Sequence, residues 1–367
     1  MKLATLKSPS RDGSLLLVDE DLSRAVAVAD IAPTMQYALE NWHAVAPRLL
    51  NEFEAVDSGS DRPILDFQKL LAEGKIAAPL PRTHQWLDGS AYLSHVERVR
   101  RARNDTVPES FYKDPLMYQG GGDSMLGPRD DIEALSEDWG IDFEGEVGVI
   151  IGDVKMGATP AECADAVRLV VLINDVSYRK LIPAELQKGF GFVNGKGLNA
   201  LSPVAVTPDE LGGAWSDEKG AGKLDFRLVC HVRGEWFGNP NCADDMTFSL
   251  HDLISHAAKT RPLMAGTLIG SGTISNHDKT TGYACIMEKR LVEQVELGAA
   301  KEDFLRFGDE VEIDMFDHHG ETIFGSIRNR VVNAGGVVSK GGPANKGGLV
   351  NKGGLVNKGG LVNKGGL

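Results

Sequence analysis

The sequence predicts a β-rich α+β protein, and three observations carry that reading. Short apolar runs of strand length recur along most of the chain, separated by glycine turns such as Gly120-Gly121-Gly122, Gly195-Lys196-Gly197 and Gly270-Ser271-Gly272. Long stretches with helical periodicity are few. No P-loop is present, and no Gly-x-Gly-x-x-Gly opens a helix, so a doubly wound nucleotide-binding fold is not expected.

In order, Leu3–Leu6, Leu15–Val18 and Ala25–Ala29 read as strands, with Arg11-Asp12-Gly13 as the first turn. Thr34 then reads as the N-cap of a helix through Met35, Ala38, Leu39, Trp42, Val45 and Leu49, because its apolar residues fall at helical spacing. A short helix is expected from Phe67 to Gly74, and the proline-stiffened Ala77-Ala78-Pro79-Leu80-Pro81 marks a boundary near residue 80. Beyond it, helices are expected at 89–103, 160–168 and 249–259. Asp309 to Phe316 alternates acid and apolar residues and pairs as a hairpin with Thr322 to Val332. The expected organisation is a small N-terminal unit over 1–80, a larger domain over 81–332, and a tail over 333–367. In that tail Asn-Lys-Gly-Gly-Leu-Val begins at Asn345, Asn351 and Asn357 and restarts at Asn363. With glycine at two positions in six, the repeat predicts a flexible appendage without a catalytic role.

The 367 residues carry a formal net charge of −13, and the tail from Asn333 contributes five lysines and no acids, so the body is more acidic still. Such a body argues against non-specific nucleic-acid or anionic-membrane binding, which needs basic patches. Cys163, Cys230, Cys242 and Cys285 show neither Cys-x-x-Cys nor zinc-finger spacing and read as reduced, buried thiols of a cytoplasmic protein. Neither a signal-peptide core nor a membrane-spanning apolar run is expected.

The chemistry concentrates between Asp142 and Lys196. In Ile141-Asp142-Phe143-Glu144-Gly145-Glu146-Val147-Gly148-Val149-Ile150 the alternation of a strand sends Glu144 and Glu146 the same way. Arg168-Leu169-Val170-Val171-Leu172-Ile173-Asn174-Asp175 reads as a buried strand ending in an acid. Carboxylates gathered on rigid backbone form a hard-oxygen site for Mg²⁺ or Ca²⁺, and without a cation they repel one another. Lys196 between glycines brings an ammonium close to a ligand. The plainer readings are that Glu144 and Glu146 line a wet edge strand, and that Arg179 and Glu288 are surface charges.

Taken in chain order, Asp88-Gly89-Ser90-Ala91-Tyr92-Leu93-Ser94-His95, Tyr118-Gln119-Gly120-Gly121, Glu144-x-Glu146, Asn174-Asp175-x-Ser177-x-Arg179, Gly195-Lys196, Gly272-Thr273-Ile274-Ser275 and Met287-Glu288 resemble the fumarylacetoacetate hydrolase family. The resemblance covers residues 80–332, with a fainter likeness before them. It implies a mixed β-roll/sandwich catalytic domain holding Mg²⁺ or Ca²⁺, with Mn²⁺ a further option, on Asp88, Glu144, Glu146 and Asp175. It implies that His95, seven residues beyond Asp88, activates water and that Glu288 orients it. Lys196 and Arg179 then match the groups that stabilise negative charge, while Tyr118 and Thr273 match substrate contacts. The implied reaction is hydrolysis of a carbon–carbon bond in a diketo acid, with fumarylacetoacetate of tyrosine and homogentisate breakdown as the favoured substrate and a homodimer as the assembly. Acylpyruvate hydrolysis, oxaloacetate decarboxylation, isomerisation or decarboxylation of a 2-hydroxy-diene-dioate, and binding without catalysis are the alternatives on the same scaffold. The chain departs from the family pattern at Ile182, where a glutamine is usual three residues after the arginine, and at Asn104, where a basic residue would grip a distal carboxylate.

Such chemistry makes physical sense of these residue types. Cleaving a β-diketone needs an electrophile at the oxygens, a nucleophilic water and a means of stabilising the departing carbanion. A histidine oriented by a carboxylate suits the base, and cationic donors suit the developing oxyanion.

Overall fold

The computed structural model describes residues 1–58, 61–94, 97–98, 107–216 and 222–335. His95, the expected base, and Asn104 lie outside the described residues, as does the repeat from Asn345. Residues Met1–Ala334 form one unit by their internal contacts.

Its centre is a sheet of twelve strands among the described residues. Along the main path the order is Ile64–Asp66, Arg24–Ala27, Ser14–Val18, Lys2–Leu6, Ala205–Val206, Val167–Asn174, Gly145–Ile151, Thr267–Gly270, Gln85–Gly89 and Met117–Gly120. The N-terminal strands therefore share a sheet with the strands that carry the acids: Lys2 and Leu3 pair with Val206 and Ala205. The boundary near residue 80 falls between two strands of that sheet, Ile76–Ala77 and Gln85–Gly89.

Both faces of the sheet are covered, and the strands show it residue by residue. Leu169, Val171 and Ile173 enter the same core as Met35, Leu39, Leu49 and Phe53 of the helices Met35–Glu40 and Trp42–Ser58. Val170 and Leu172 between them enter the opposite core, together with Leu228, Cys230, Ile313 and Met315. Burial on both faces explains why Arg168 to Asn174 reads as an unbroken apolar run rather than an alternating one. The second core is closed by a five-stranded sheet in the order Glu235–Gly238, Leu228–Val232, Glu310–Met315, Ile327–Asn333, Ile132–Ala134. Its Glu310–Met315 and Ile327–Asn333 strands are the predicted hairpin, in register Glu310 with Arg330.

Three expectations change. The run from Ile141 to Ile150 is two strands, not one. Ile141–Asp142 pairs with Ser177–Tyr178 in a separate two-stranded sheet, and pairing with Val167–Asn174 begins at Gly145. The register against the neighbouring segment is the same on both sides of the break, and Asp175 N still donates to Glu144 O at 2.9 Å; the ladder is interrupted at Phe143-Glu144, where Glu144 also bridges to Cys285. The helix expected at 89–103 does not begin there, since Gly89 closes the strand Gln85–Gly89. Finally, Ile286–Leu297 is a helix with no counterpart in the sequence reading; only Ile286 and Glu288 of it are buried, so its apolar stripe is too thin to register.

Candidate active site

Three neighbouring strands set two of the acids. Asp88 on Gln85–Gly89 pairs with Gly270, and Gly270 pairs with Gly148, two residues beyond Glu146 on Gly145–Ile151. Asp88, Gly270 and Glu146 share one face, with the glycine between the acids. A Cβ at Gly270 would lie 2.4 Å from Trp86 Cη2, 2.6 Å from Asp88 Oδ1 and 2.9 Å from Glu146 Oε2, so only a bare backbone lets the carboxylates approach. Gly145 serves the other face: a Cβ there would meet Leu228 Cδ2 at 2.7 Å, where the second sheet packs closest.

Asp175, just past the strand Val167–Asn174, completes the group. One carboxylate oxygen from each of Asp88, Glu146 and Asp175 lies within 4.8 Å of the others, and all three residues are buried. Asp88 Oδ1 accepts the Gly272 amide at 2.9 Å. Both oxygens of Glu146 and Oδ1 of Asp175, by contrast, have no hydrogen-bond partner among the described residues. Burial, then the charge of Asp175, raises the Asp88 pKa well above the carboxylate range; burial, then Asp88 and Asp175, does the same for Glu146. Asp175 is pushed up to about 6, chiefly by burial. Buried orphan carboxylate oxygens facing one another, with neither thiolate nor imidazole among them, fit a hard divalent cation such as Mg²⁺ or Ca²⁺.

Glu144, the fourth expected ligand, stands outside that trio and is met by cations. Its Oε1 accepts Arg179 Nη2 at 2.8 Å and Thr273 Oγ1 at 2.7 Å, and its Oε2 accepts Lys196 Nζ at 2.5 Å and Ser177 Oγ at 3.1 Å. Lys196 also donates to Asp175 Oδ2 at 2.5 Å, so the ammonium joins Glu144 to the trio. Burial works against that charge, but Asp175 and Glu144 outweigh it and hold the lysine protonated. Tyr118 donates to the same Asp175 oxygen at 2.8 Å from a position opposite Asp88 in the next strand.

Local structure accounts for Lys196. It bridges to Ser177, with Tyr178 N on Gly195 O and Gly197 N on Val176 O, both 2.8 Å. The preceding turn is gathered by Glu185, whose carboxylate accepts the amides of Val193, Asn194 and Gly195. Beyond Lys196 a cleft of about 530 Å³ opens, lined by Trp86, Gln119, Phe192, Val193, Leu198 and Asn199 among others.

Arg179 and Glu288 are not the surface charges that the plainer reading offers. The Arg179 side chain, 9% exposed, lies between Asp142 and Glu144. Glu288 is 1% exposed, accepts Ser275 Oγ at 2.9 Å and is ion-paired to Arg98. Sequence reasoning gave no role to Asp142, Ser177, Glu185, Ser275 or Arg98. Asp142 was within reach, since it starts the alternation that selected Glu144 and Glu146, and Ser177 and Ser275 stand in the motifs that carry the resemblance; Glu185 and Arg98 announce themselves only through tertiary contacts.

With that geometry established, comparison with known proteins is decisive. The family model described as fumarylacetoacetate (FAA) hydrolase C-terminal matches residues 84–332, and the one described as fumarylacetoacetase N-terminal domain 2 matches residues 1–82. The chain belongs to the fumarylacetoacetate hydrolase family. Within it, the chain is 27% identical over 250 residues to oxaloacetate tautomerase YisK of Bacillus subtilis (strain 168), across 67% of this chain and 71% of that protein. It is 31% identical over 163 residues to the 2,4-didehydro-3-deoxy-L-rhamnonate hydrolase of Sphingomonas sp. (strain SKA58), across 44% of this chain and 53%, about half, of that relative. Fumarylacetoacetate hydrolase from psychrophilic Exiguobacterium antarcticum superposes with a TM-score of 0.61 at 18% identity, over 91% of this chain and 99% of that one. Maleylpyruvate hydrolase from Sphingobium sp. SYK-6 gives 0.61 at 14% identity, over 91% and 100%. These two likenesses show the shared β-rich α+β fold of the fumarylacetoacetate hydrolase family.

Proposed function

We propose that the protein is a metal-dependent enzyme that hydrolyses a carbon–carbon bond in a diketo acid, with fumarylacetoacetate, yielding fumarate and acetoacetate, as the favoured substrate. The observation that carries this reading is the buried trio Asp88, Glu146 and Asp175, with orphan carboxylate oxygens beside a protonated Lys196. Asp88, Glu146 and Asp175, joined by Glu144, would hold Mg²⁺ or Ca²⁺. When bound, the cation supplies a Lewis acid for the two oxygens of a 1,3-dicarbonyl.

The chain's own residues do the rest. Lys196 and Arg179 present positive charge where the departing carbanion places its electrons, an effect of about 3–4 kcal/mol for a well-placed donor. Trp86, Phe192 and Leu198 give the cleft beyond Lys196 an apolar lining. His95 is assigned the proton of the attacking water. Glu288, locked by Ser275 and Arg98, supplies a fixed carboxylate to orient that base. Relatives named as a maleylpyruvate hydrolase and a 2,4-didehydro-3-deoxy-L-rhamnonate hydrolase support hydrolysis of oxo acids.

A second reading, chemistry on oxaloacetate without hydrolysis, is favoured by the match with oxaloacetate tautomerase YisK, which spans more of this chain than the rhamnonate-hydrolase match. An assay of fumarylacetoacetate, an acylpyruvate and oxaloacetate, with Mg²⁺ and with EDTA, separates the two readings. Mg²⁺-dependent loss of fumarylacetoacetate absorbance, abolished in Glu146→Gln and His95→Ala, is expected. Turnover of oxaloacetate alone, indifferent to His95→Ala, would overturn the hydrolase assignment.

A further inference from the structure

Asp142 lies beside the site without touching the acid trio, and it is fully buried. Its carboxylate is fixed by backbone. Oδ1 accepts Phe143 N and Ile286 N, each at 2.8 Å, and Oδ2 accepts Met287 N at 2.9 Å. The last two amides open the helix Ile286–Leu297, where a helix end favours negative charge. Against this immobile acid Arg179 lays its Nε, at 2.7 Å from Oδ2, while its Nη2 reaches Glu144 Oε1 at 2.8 Å. Two carboxylates thus grip two corners of one planar guanidinium and set both its plane and its rotation about the side-chain axis. Nη1 is the corner committed to neither acid.

We propose that Asp142 is a positioning residue that aims Arg179: it draws Nε away from Glu144, so that Glu144 keeps one guanidinium contact instead of two and the guanidinium plane is fixed for the charge-stabilising role assigned above. The inference rests on the functional reading above for what Arg179 does, but its effect on Glu144 does not depend on any substrate. Without the Asp142 charge, Arg179 is free to close both nitrogens on Glu144 as a bidentate pair, withdrawing that carboxylate from a cation.

The test pairs two measurements on the full chain. Titration calorimetry with Mg²⁺ is run on wild type, Asp142→Asn, Arg179→Gln and the double variant, with kcat and KM measured alongside. Asp142→Asn is expected to weaken Mg²⁺ binding by about tenfold and to lower kcat by about 10–100-fold while KM stays within a factor of about three, the scale seen for groups that orient ligands. The double variant is expected to recover the Mg²⁺ affinity of Arg179→Gln, because no guanidinium is left to close on Glu144. Unchanged Mg²⁺ affinity in Asp142→Asn, or a loss that persists in the double variant, would overturn the proposal. If wild type turns over none of the substrates, the functional reading fails while the Mg²⁺ comparison still decides the role of Asp142. Should Asp142→Asn not accumulate folded, Arg179→Lys carries the decision: one ammonium cannot serve both acids in fixed planes, so kcat should fall by about tenfold or more. Full activity in Arg179→Lys would then refute the aimed guanidinium.

Discussion

Asp175 gives the residue scale its clearest prediction. Its folded pKa is about 6, against an ordinary value of 3.8, so the folded protein binds this proton more tightly than the unfolded chain does. Stability therefore falls as pH rises from about 4 to about 6, and the penalty persists above that window. The metal-free protein should melt at a higher temperature at pH 5.5 than at pH 7.5. Saturating Mg²⁺ should reverse the order, because the cation takes the deprotonated form. Melting curves with EDTA and with Mg²⁺ at both pH values check this, and a metal-free protein more stable at pH 7.5 would contradict it. Glu146→Gln belongs to the same logic. Removing one charge from a buried trio should raise the metal-free melting temperature while weakening Mg²⁺ binding by about tenfold or more. Of this site, Glu144, Glu146, Asp175 and Lys196 were legible in the sequence because each sits on or beside an apolar run or between glycines. The gripping of Glu144 by Arg179 and Lys196 was not, since alternation tells which way a side chain points and not which partner it meets.

At the scale of elements, the turn before Lys196 is the part most open to test. Glu185 caps the amides of Val193, Asn194 and Gly195, and these charge-assisted bonds hold its pKa below the usual carboxylate range. Glu185→Gln should weaken this clasp by about 1–3 kcal/mol locally. Hydrogen exchange at residues 193–195 should accelerate, with the melting temperature nearly unchanged and kcat reduced as Lys196 loses its fixed stem. Unaltered exchange there would show that the turn is held by the Ser177–Lys196 pairing instead. Elements were read best where periodicity was strong. Leu250–Ala257 and Phe67–Ala72 fall within their expected spans, and the hairpin of Glu310–Met315 with Ile327–Asn333 runs one residue past its expected end. Ile286–Leu297 was missed because ten of its twelve residues are not buried, and its first amides are capped by a cysteine, Cys285, and by Asp142, distant in sequence.

For the molecule as a whole, the β-rich α+β architecture was legible from strand-length runs and glycine turns, whereas the merging of the N-terminal strands into the main sheet was not, because pairing between Lys2 and Val206 leaves no local trace. Among the described residues, the two cores are built from residues before 335. A chain ended after Gly335 should keep the melting temperature within about 2 °C and the wild-type kcat, since a repeat with glycine at two positions in six carries little apolar surface to offset its ordering entropy. A large loss of either would assign the repeat a part in the fold or the reaction.

The strand Thr267–Gly270 lies between the strands that carry Asp88 and Glu146, and it is synthesised well over a hundred residues after both. Until it slots in, those two acids have no fixed separation. The chain emerging from the ribosome thus holds harmless, dispersed carboxylates for most of its synthesis. The electrostatic conflict among them arises only when this late, non-local pairing closes, a slow class of folding step. A divalent cation bound as proposed would meet a site in the act of forming, and would be the last folding partner of the chain.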